Sequence, residues 1–168
     1  MAMDMNYDCM YRDENRDVPT FYWETLNVTF TIPPDHFDTG PGSYPSIAGT
    51  HNGTFTPFCN LSVSKLYTYP CPGTGGHTEY LKICKGTESL VEEHWTGYTG
   101  DWHTLTFDDP IVLTENERYN YTIITGSYPQ LIRGPEHTVT GVGKITCTEF
   151  RDANGETATP WIPAIRLE

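Results

Sequence analysis

Short runs in which apolar and polar residues alternate, cut by glycine and proline, make up most of this chain. In residues 21–32 (FYWETLNVTFTI) Leu26, Val28 and Phe30 alternate with Asn27 and Thr29, the two-residue period of a strand with one buried face. Residues 61–69 (LSVSKLYTY) set Leu61, Val63, Tyr67 and Tyr69 on one face, interrupted by Lys65. Residues 78–84 (TEYLKIC) and 102–107 (WHTLTF) follow, the latter leading through Asp108-Asp109-Pro110 into Ile111–Leu113. Residues 118–124 (RYNYTII) turn Tyr119, Tyr121 and Ile123 inward, and 143–150 and 160–168 close the chain. Residues 33–46 are a loop, because proline removes ladder donors and glycine permits positive φ. The one helical pattern, 88–95 (ESLVEEHW), is too short and too closely flanked by strands to stand as a helix.

Many short strands at about 8–12-residue spacing predict an all-β fold, a two-sheet antiparallel β-sandwich of jelly-roll-like character. Tyr67, Tyr69, Leu105, Phe107, Tyr119, Tyr121 and Ile123 are expected between the sheets. Residues 1–19 read as a polar, acidic N-terminal arm, and 20–168 as a single sandwich domain without internal repeats.

Composition supports the strand reading. The 168 residues include 25 threonines, 11 tyrosines and 13 prolines but only five alanines. Branched and aromatic side chains suit pleated surfaces, whereas alanine favours helices. The net charge of −12 repels phosphate backbones, so nucleic acid is excluded as a partner. No run of 18 apolar residues predicts a transmembrane helix.

The first 19 residues lack the basic and apolar regions of a signal peptide, and their Met-Ala start has the look of a cloning start. Sequons for N-glycosylation stand at Asn27, Asn52, Asn60 and Asn120, where about 1.5 are expected by chance. Five cysteines in a small β-rich chain also point to an oxidising compartment. The expectation is an extracellular or cell-surface protein whose leader is absent from this sequence.

Residues 69–84 (YPCPGTGGHTEYLKIC) invite three readings. A phosphate-binding loop needs G-x-x-x-x-G-K-[ST] before a helix; here the lysine is absent and a strand follows. Covalent haem needs C-x-x-C-H, which Cys71 does not begin. What remains is strand, glycine turn, strand: a hairpin with a wide loop, carrying His77 and Glu79 at its end.

The segments GTHNGTFTP (49–57), KLYTYPCPGTGGHTEYLKI (65–83), GYTGDWHTLTFDDPIVL (97–113), YNYTIITGSYPQ (119–130) and WIPAIRLE (161–168) together resemble a family of uncharacterised secreted or cell-surface archaeal modules. That family occurs in methanogens and their sulfate-reducing relatives, and the resemblance covers roughly residues 44 to 168. It implies location and architecture, with no activity to carry over. The family pattern has cysteines matching Cys71 and Cys147, which implies a bridge between them. Cys59 and Cys84 are additions to the pattern and are expected as the companion pair, with Cys9 unpaired on the arm. Where the family has a histidine after SYPQ, this chain has Arg133. Separately, the 102–121 spacing of Trp, Leu, Phe, Pro-Ile and paired tyrosines is similar to adjacent strands of jelly-roll modules, carbohydrate-binding domains among them.

Candidate chemistry is of three kinds. His51, His77, Glu79 and His103 all neighbour turn residues, and loops on one rim of a sandwich would gather them around one divalent ion, zinc, copper or calcium. The plainer alternative is turn histidines bonded locally. Carboxylate pairs stand at Glu92-Glu93, Asp108-Asp109 and Glu115/Glu117, but Asp-Asp-Pro reads as a turn, and no nucleophile motif accompanies them. Aromatic residues, Tyr98 and Trp102 foremost, flank a glycine-rich turn and suit stacking on sugars; Trp23, Trp95, Trp161, Tyr44 and Tyr128 extend the set. The function expected is a non-enzymatic structural or interaction module of an archaeal surface or secreted protein. Carbohydrate binding or a metal-binding surface domain are the alternatives, and its partners are other surface proteins or glycans.

Overall fold

The computed structural model describes residues 3–12, 21–30, 35–43, 47–97, 101–158 and 160–168, with 3–12, 21–30 and Ala158 as backbone only. Among them there are fifteen strands and no helix. The chain falls into two units, Met1–Pro33 and Pro34–Glu168. In the first, β1 (Met3–Arg12) pairs antiparallel with β2 (Phe21–Phe30), running from Met3 opposite Phe30 to Arg12 opposite Phe21. The strand expected at 21–32 is present, but its ladder partner is the acidic arm. The boundary accordingly falls after Pro33 and not at residue 19.

The second unit is built of antiparallel sheets in a sandwich arrangement. Its larger sheet has seven strands. In order they are β11 (Glu136–Val139), β12 (Gly143–Asp152), β4 (Gly49–Pro57), β9 (Tyr119–Gly126), β6 (His77–Lys85) and β7 (Glu88–His94), with β13 (Thr157–Ala158) on β12. A four-stranded sheet runs β3 (Phe37–Asp38), β15 (Ile165–Leu167), β5 (Leu61–Thr68), β8 (Thr104–Leu113). A ribbon of β10 (Leu131–Arg133) and β14 (Trp161–Pro163) completes it. Phe55, Leu81, Ile83, Tyr121, Ile123 and Ile145 of the larger sheet meet Ile165 and Leu167 of the smaller, leaving a void of only about 10 Å³. Phe37 and Phe55 pack edge to face across the layers at 4.7 Å. Each such fully buried ring contributes about 1.5–3 kcal/mol.

Leu105, Phe107, Tyr119, Tyr121 and Ile123 are buried, as their alternation predicts. Tyr67 and Tyr69 are not. A bulge between Val63 and Lys65 shifts the phase of β5, so Leu61, Val63, Leu66 and Thr68 point inward. The register moves there by three residues, the extra ones lying on β8, and an odd shift exchanges the faces of everything after it. The tyrosines instead cover the outer face, where the Arg166 guanidinium lies 4.9 Å over Tyr67 and the Tyr69 hydroxyl donates to Asp38 at 2.8 Å. Residues 88–95 are mostly strand β7.

Strand β4 carries no sequence signal, yet it lies inside the larger sheet between β12 and β9. Its buried positions include His51 and Gly53 where a strand pattern would show aliphatic residues. Gly53 is required by close approach: a Cβ there would meet the Thr146 carbonyl oxygen at 1.8 Å and the Tyr121 hydroxyl at 2.8 Å. That hydroxyl donates to the same carbonyl at 2.9 Å, and burial pushes the Tyr121 phenol well above its ordinary range.

Two further expectations are corrected. Residues 69–84 are not a hairpin, because β5 and β6 belong to different sheets and the Pro70–Gly76 loop crosses between them. Nor are the cysteines bridged: Cys59, Cys71, Cys84 and Cys147 are free thiols. Cys147 lies opposite Gly53, which lies opposite Tyr121 of β9, whereas Cys71 donates its N–H to the Tyr128 carbonyl beyond the far end of β9. From Tyr121 to Gly126 alone β9 advances about 17 Å, against a disulfide limit of about 7 Å between Cα atoms. Cys84 sits on β6 and Cys59 follows β4, with β9 between those strands. Cys9 lies where only backbone is described.

Candidate functional site

The crossing loop from β5 to β6 is held on three sides. From the β9–β10 turn, the Tyr128 carbonyl accepts the Cys71 N–H at 3.0 Å and the Thr74 hydroxyl at 3.3 Å. Gln130 donates its side-chain amide to the Pro70 carbonyl at 2.7 Å and its N–H to Tyr69 at 2.7 Å. Inside the loop, the Thr74 N–H and hydroxyl both reach the Cys71 carbonyl, at 3.0 and 2.8 Å. From the approach to β8, His103 Nδ1 donates to the Gly76 carbonyl at 2.7 Å. His77 closes the loop on itself, with Nδ1 on the Gly75 carbonyl at 2.6 Å. Gly76 has no room for a side chain, since a Cβ would lie 2.7 Å from the Tyr128 oxygen. Each of these carbonyls is satisfied locally, so the loop has a fixed shape despite its glycines.

Aromatic rings line this end of the sandwich. His77 stacks on Trp95 with centroids 4.0 Å apart, and Trp95 lies 5.3 Å from Trp102. The Trp102 ring borders Gly75 and is 45% exposed. Tyr128 is 65% exposed and sits in the left-handed region at φ 66°, directly after Ser127 at φ 54°. Two successive non-glycine residues in that region cost about 1–2 kcal/mol each, so the surrounding bonds must hold them there. The Trp95 indole nitrogen is buried without a hydrogen-bond partner among the described residues.

The charged groups are few. The Glu79 carboxylate lies over Gly126, where a Cβ would touch it, and 3.9 Å from His77 Nε2. A bulge between Thr78 and Tyr80 lets His77 and Glu79 meet on one side while Thr78 stays buried. Asp101 folds back on its own turn, accepting the His103 N–H at 3.0 Å and the Thr104 hydroxyl. Burial raises the Asp101 carboxyl, but the Thr104 and His103 bonds outweigh it and hold it below the usual carboxylate range.

The four expected metal ligands therefore separate. His77, Glu79 and His103 share this rim, but His51 does not. His51 is fully buried on β4, donates Nδ1 to the Trp161 carbonyl at 2.7 Å and stacks on Phe150 at 4.5 Å. Burial pushes its imidazole down to about 4, against which the Trp161 bond works only partly. Both rim histidines spend Nδ1 on glycine carbonyls. Among the described residues no three His, Cys, Asp or Glu side chains are placed to hold a metal ion.

Of the carboxylates weighed for hydrolysis, Glu92 and Glu93 lie on β7 and Glu115 and Glu117 between β8 and β9, while Asp108-Asp109-Pro110 is not the expected turn but part of strand β8. Glu92 pairs with Lys82 at 2.7 Å, Glu93 accepts the Asp108 N–H at 2.8 Å, and Glu117 pairs with Lys85 at 3.4 Å. Of the aromatic candidates, Trp102, Trp95 and Tyr128 gather at the rim, while Trp161 packs against Phe150 under Arg133. Tyr98 and Tyr44 lie outside the described residues, and Trp23 where only backbone is described. Gln130 and Thr74, which hold the loop, carry no local sequence signal; only the sheet-crossing path gives them their roles.

No family model matches the chain, and none of the curated proteins matches it.

Proposed function

We propose that the chain is a non-enzymatic interaction module of an archaeal surface or secreted protein, and that its loop end is the recognition surface. The observation that carries this reading is the presentation of Trp102 and Tyr128. Both side chains are substantially exposed, and the Trp102 ring and the Tyr128 backbone border a loop whose carbonyls are tied down by Thr74, His77, His103 and Gln130. A surface held in one shape before contact loses little conformational entropy on binding. The extracellular setting rests on the sequons and on the archaeal resemblance of residues 44–168. Jelly-roll character belongs to the same proposal and rests on the 102–121 pattern.

The test is retention of the purified chain on isolated envelopes of a methanogenic archaeon. Trp102→Ala and Tyr128→Ala should each reduce retention. Phe58→Ser should not, because Phe58 follows β4 at the opposite end of the sandwich. Equal retention of all three variants would overturn the reading.

A further inference from the structure

We propose that the loop end binds a neutral carbohydrate whose pyranose rings stack on Trp102 and Tyr128, an inference that rests on the loop end being the recognition surface. The two rings are among the few large apolar side chains that the described residues expose. Their flat faces suit the C–H faces of a sugar ring. They border the same segment, because Trp102 adjoins Gly75 and the Tyr128 carbonyl holds Cys71 and Thr74. Beside them Gly73 and Gly75 bring no side chain to the surface, with open space over Gly73, so a ligand can approach the backbone closely.

The left-handed conformations at Ser127 and Tyr128 support the same conclusion. In that conformation the Tyr128 carbonyl accepts from Cys71 and Thr74 while its side chain stays 65% exposed. Polar groups suited to hydroxyls stand nearby. Glu79 offers a carboxylate that is 55% exposed, and His77 presents Nε2 within 3.9 Å of it. The rim carries the carboxylates of Glu79 and Asp101, and Lys65, the cation near Asp101, is paired with Glu168 at 3.2 Å, within a chain of net charge −12. This favours a neutral polyol over a uronic or sulfated sugar.

The experiment titrates the full chain with cellohexaose, mannohexaose and chitohexaose, using heparin as the anionic control. It follows tryptophan fluorescence and calorimetric heat. At least one neutral hexaose should bind and change the fluorescence, while heparin does not. Trp102→Ala and Tyr128→Ala should each weaken binding by about tenfold, with Phe58→Ser unchanged. A melting curve for each variant shows that it is folded, and Trp102→Phe stands in should Trp102→Ala melt early. No binding by any neutral hexaose at millimolar concentration would overturn the carbohydrate assignment, as would binding indifferent to both rim variants. Envelope retention that still depends on the rim but survives periodate oxidation of the envelope glycans would remove the sugar alone. Retention indifferent to the rim removes the recognition surface as well.

Discussion

The hydroxyls of Thr68 and Thr78 lie 2.8 Å apart, both residues all but fully buried, and join β5 of the smaller sheet to β6 of the larger. They stand at the two feet of the crossing loop, so the loop end is fastened to both layers by one buried hydrogen bond. Thr68→Val leaves the Thr78 hydroxyl without that partner and should cost about 1–3 kcal/mol. The double variant Thr68→Val/Thr78→Val removes both polar atoms and should recover most of the loss. Urea denaturation of both single variants and the double gives the coupling energy.

His51 makes stability depend on pH. Its imidazole titrates near 4 in the fold, because burial lowers it from an ordinary value of 6.5. Between those values the unfolded chain binds a proton that the native state refuses. The contribution is therefore fully present above about pH 6.5 and is lost as pH falls toward 4, on the order of 3 kcal/mol in all. His51→Leu should flatten that part of the curve. Denaturant midpoints of wild type and variant at pH 7 and pH 5 give the comparison, and parallel curves would refute it.

Gly53→Ala should be among the most damaging single changes. The new Cβ would lie 1.8 Å from a main-chain oxygen on β12, which cannot turn aside as a side chain would. A loss of at least about 3 kcal/mol is expected, roughly 6–12 °C in melting temperature for a domain of this size. Gly86→Ala, where nothing lies within 4 Å, should cost much less despite its φ of 60°.

Thiol reactivity should sort by burial. Cys71 and Cys147 are buried and Cys59 and Cys84 partly exposed. Burial pushes the Cys147 thiol up to about 11, more than the Glu149, Trp161 and Tyr121 bonds bring it down, so little thiolate forms at neutral pH. A maleimide should label Cys59 and Cys84 in the native protein, and Cys71 and Cys147 only after unfolding. Native protection of all four, released by reductant, would show bridges instead.

The sequons should differ in occupancy. Asn60 and Asn120 are exposed, whereas Asn52 sits in mid-strand with its amide donating to Glu149 at 3.3 Å and its oxygen accepting from Thr122 at 2.8 Å. The Thr54 hydroxyl of its sequon is bonded to Thr146 at 2.8 Å. Expression in a glycosylating host, followed by peptide mass spectrometry, should find glycan at Asn60 or Asn120 and none at Asn52.

The amino-acid sequence by itself determined the all-β class and the inward face of β9, because alternation in Tyr119, Tyr121 and Ile123 is a local property of the strand. It also marked the loop end, since consecutive glycines beside histidine and tryptophan are visible without a fold. The tertiary structure alone decided the rest, and the reason in each case is contact between segments distant in the chain. Strand β4 is a central strand without an aliphatic pattern because neighbours on both sides satisfy its backbone, and Tyr121 and Thr146 leave no space at Gly53. The bulge at Ser64 turned Tyr67 and Tyr69 outward because the carbonyl of Glu168 accepts the N–H groups of both Ser64 and Lys65. His51 and His77 look alike in sequence, each beside glycine or asparagine in a turn-like context. One is a neutral core residue under Trp161, and the other stacks on Trp95 at the rim, because sheet order placed them in different surroundings.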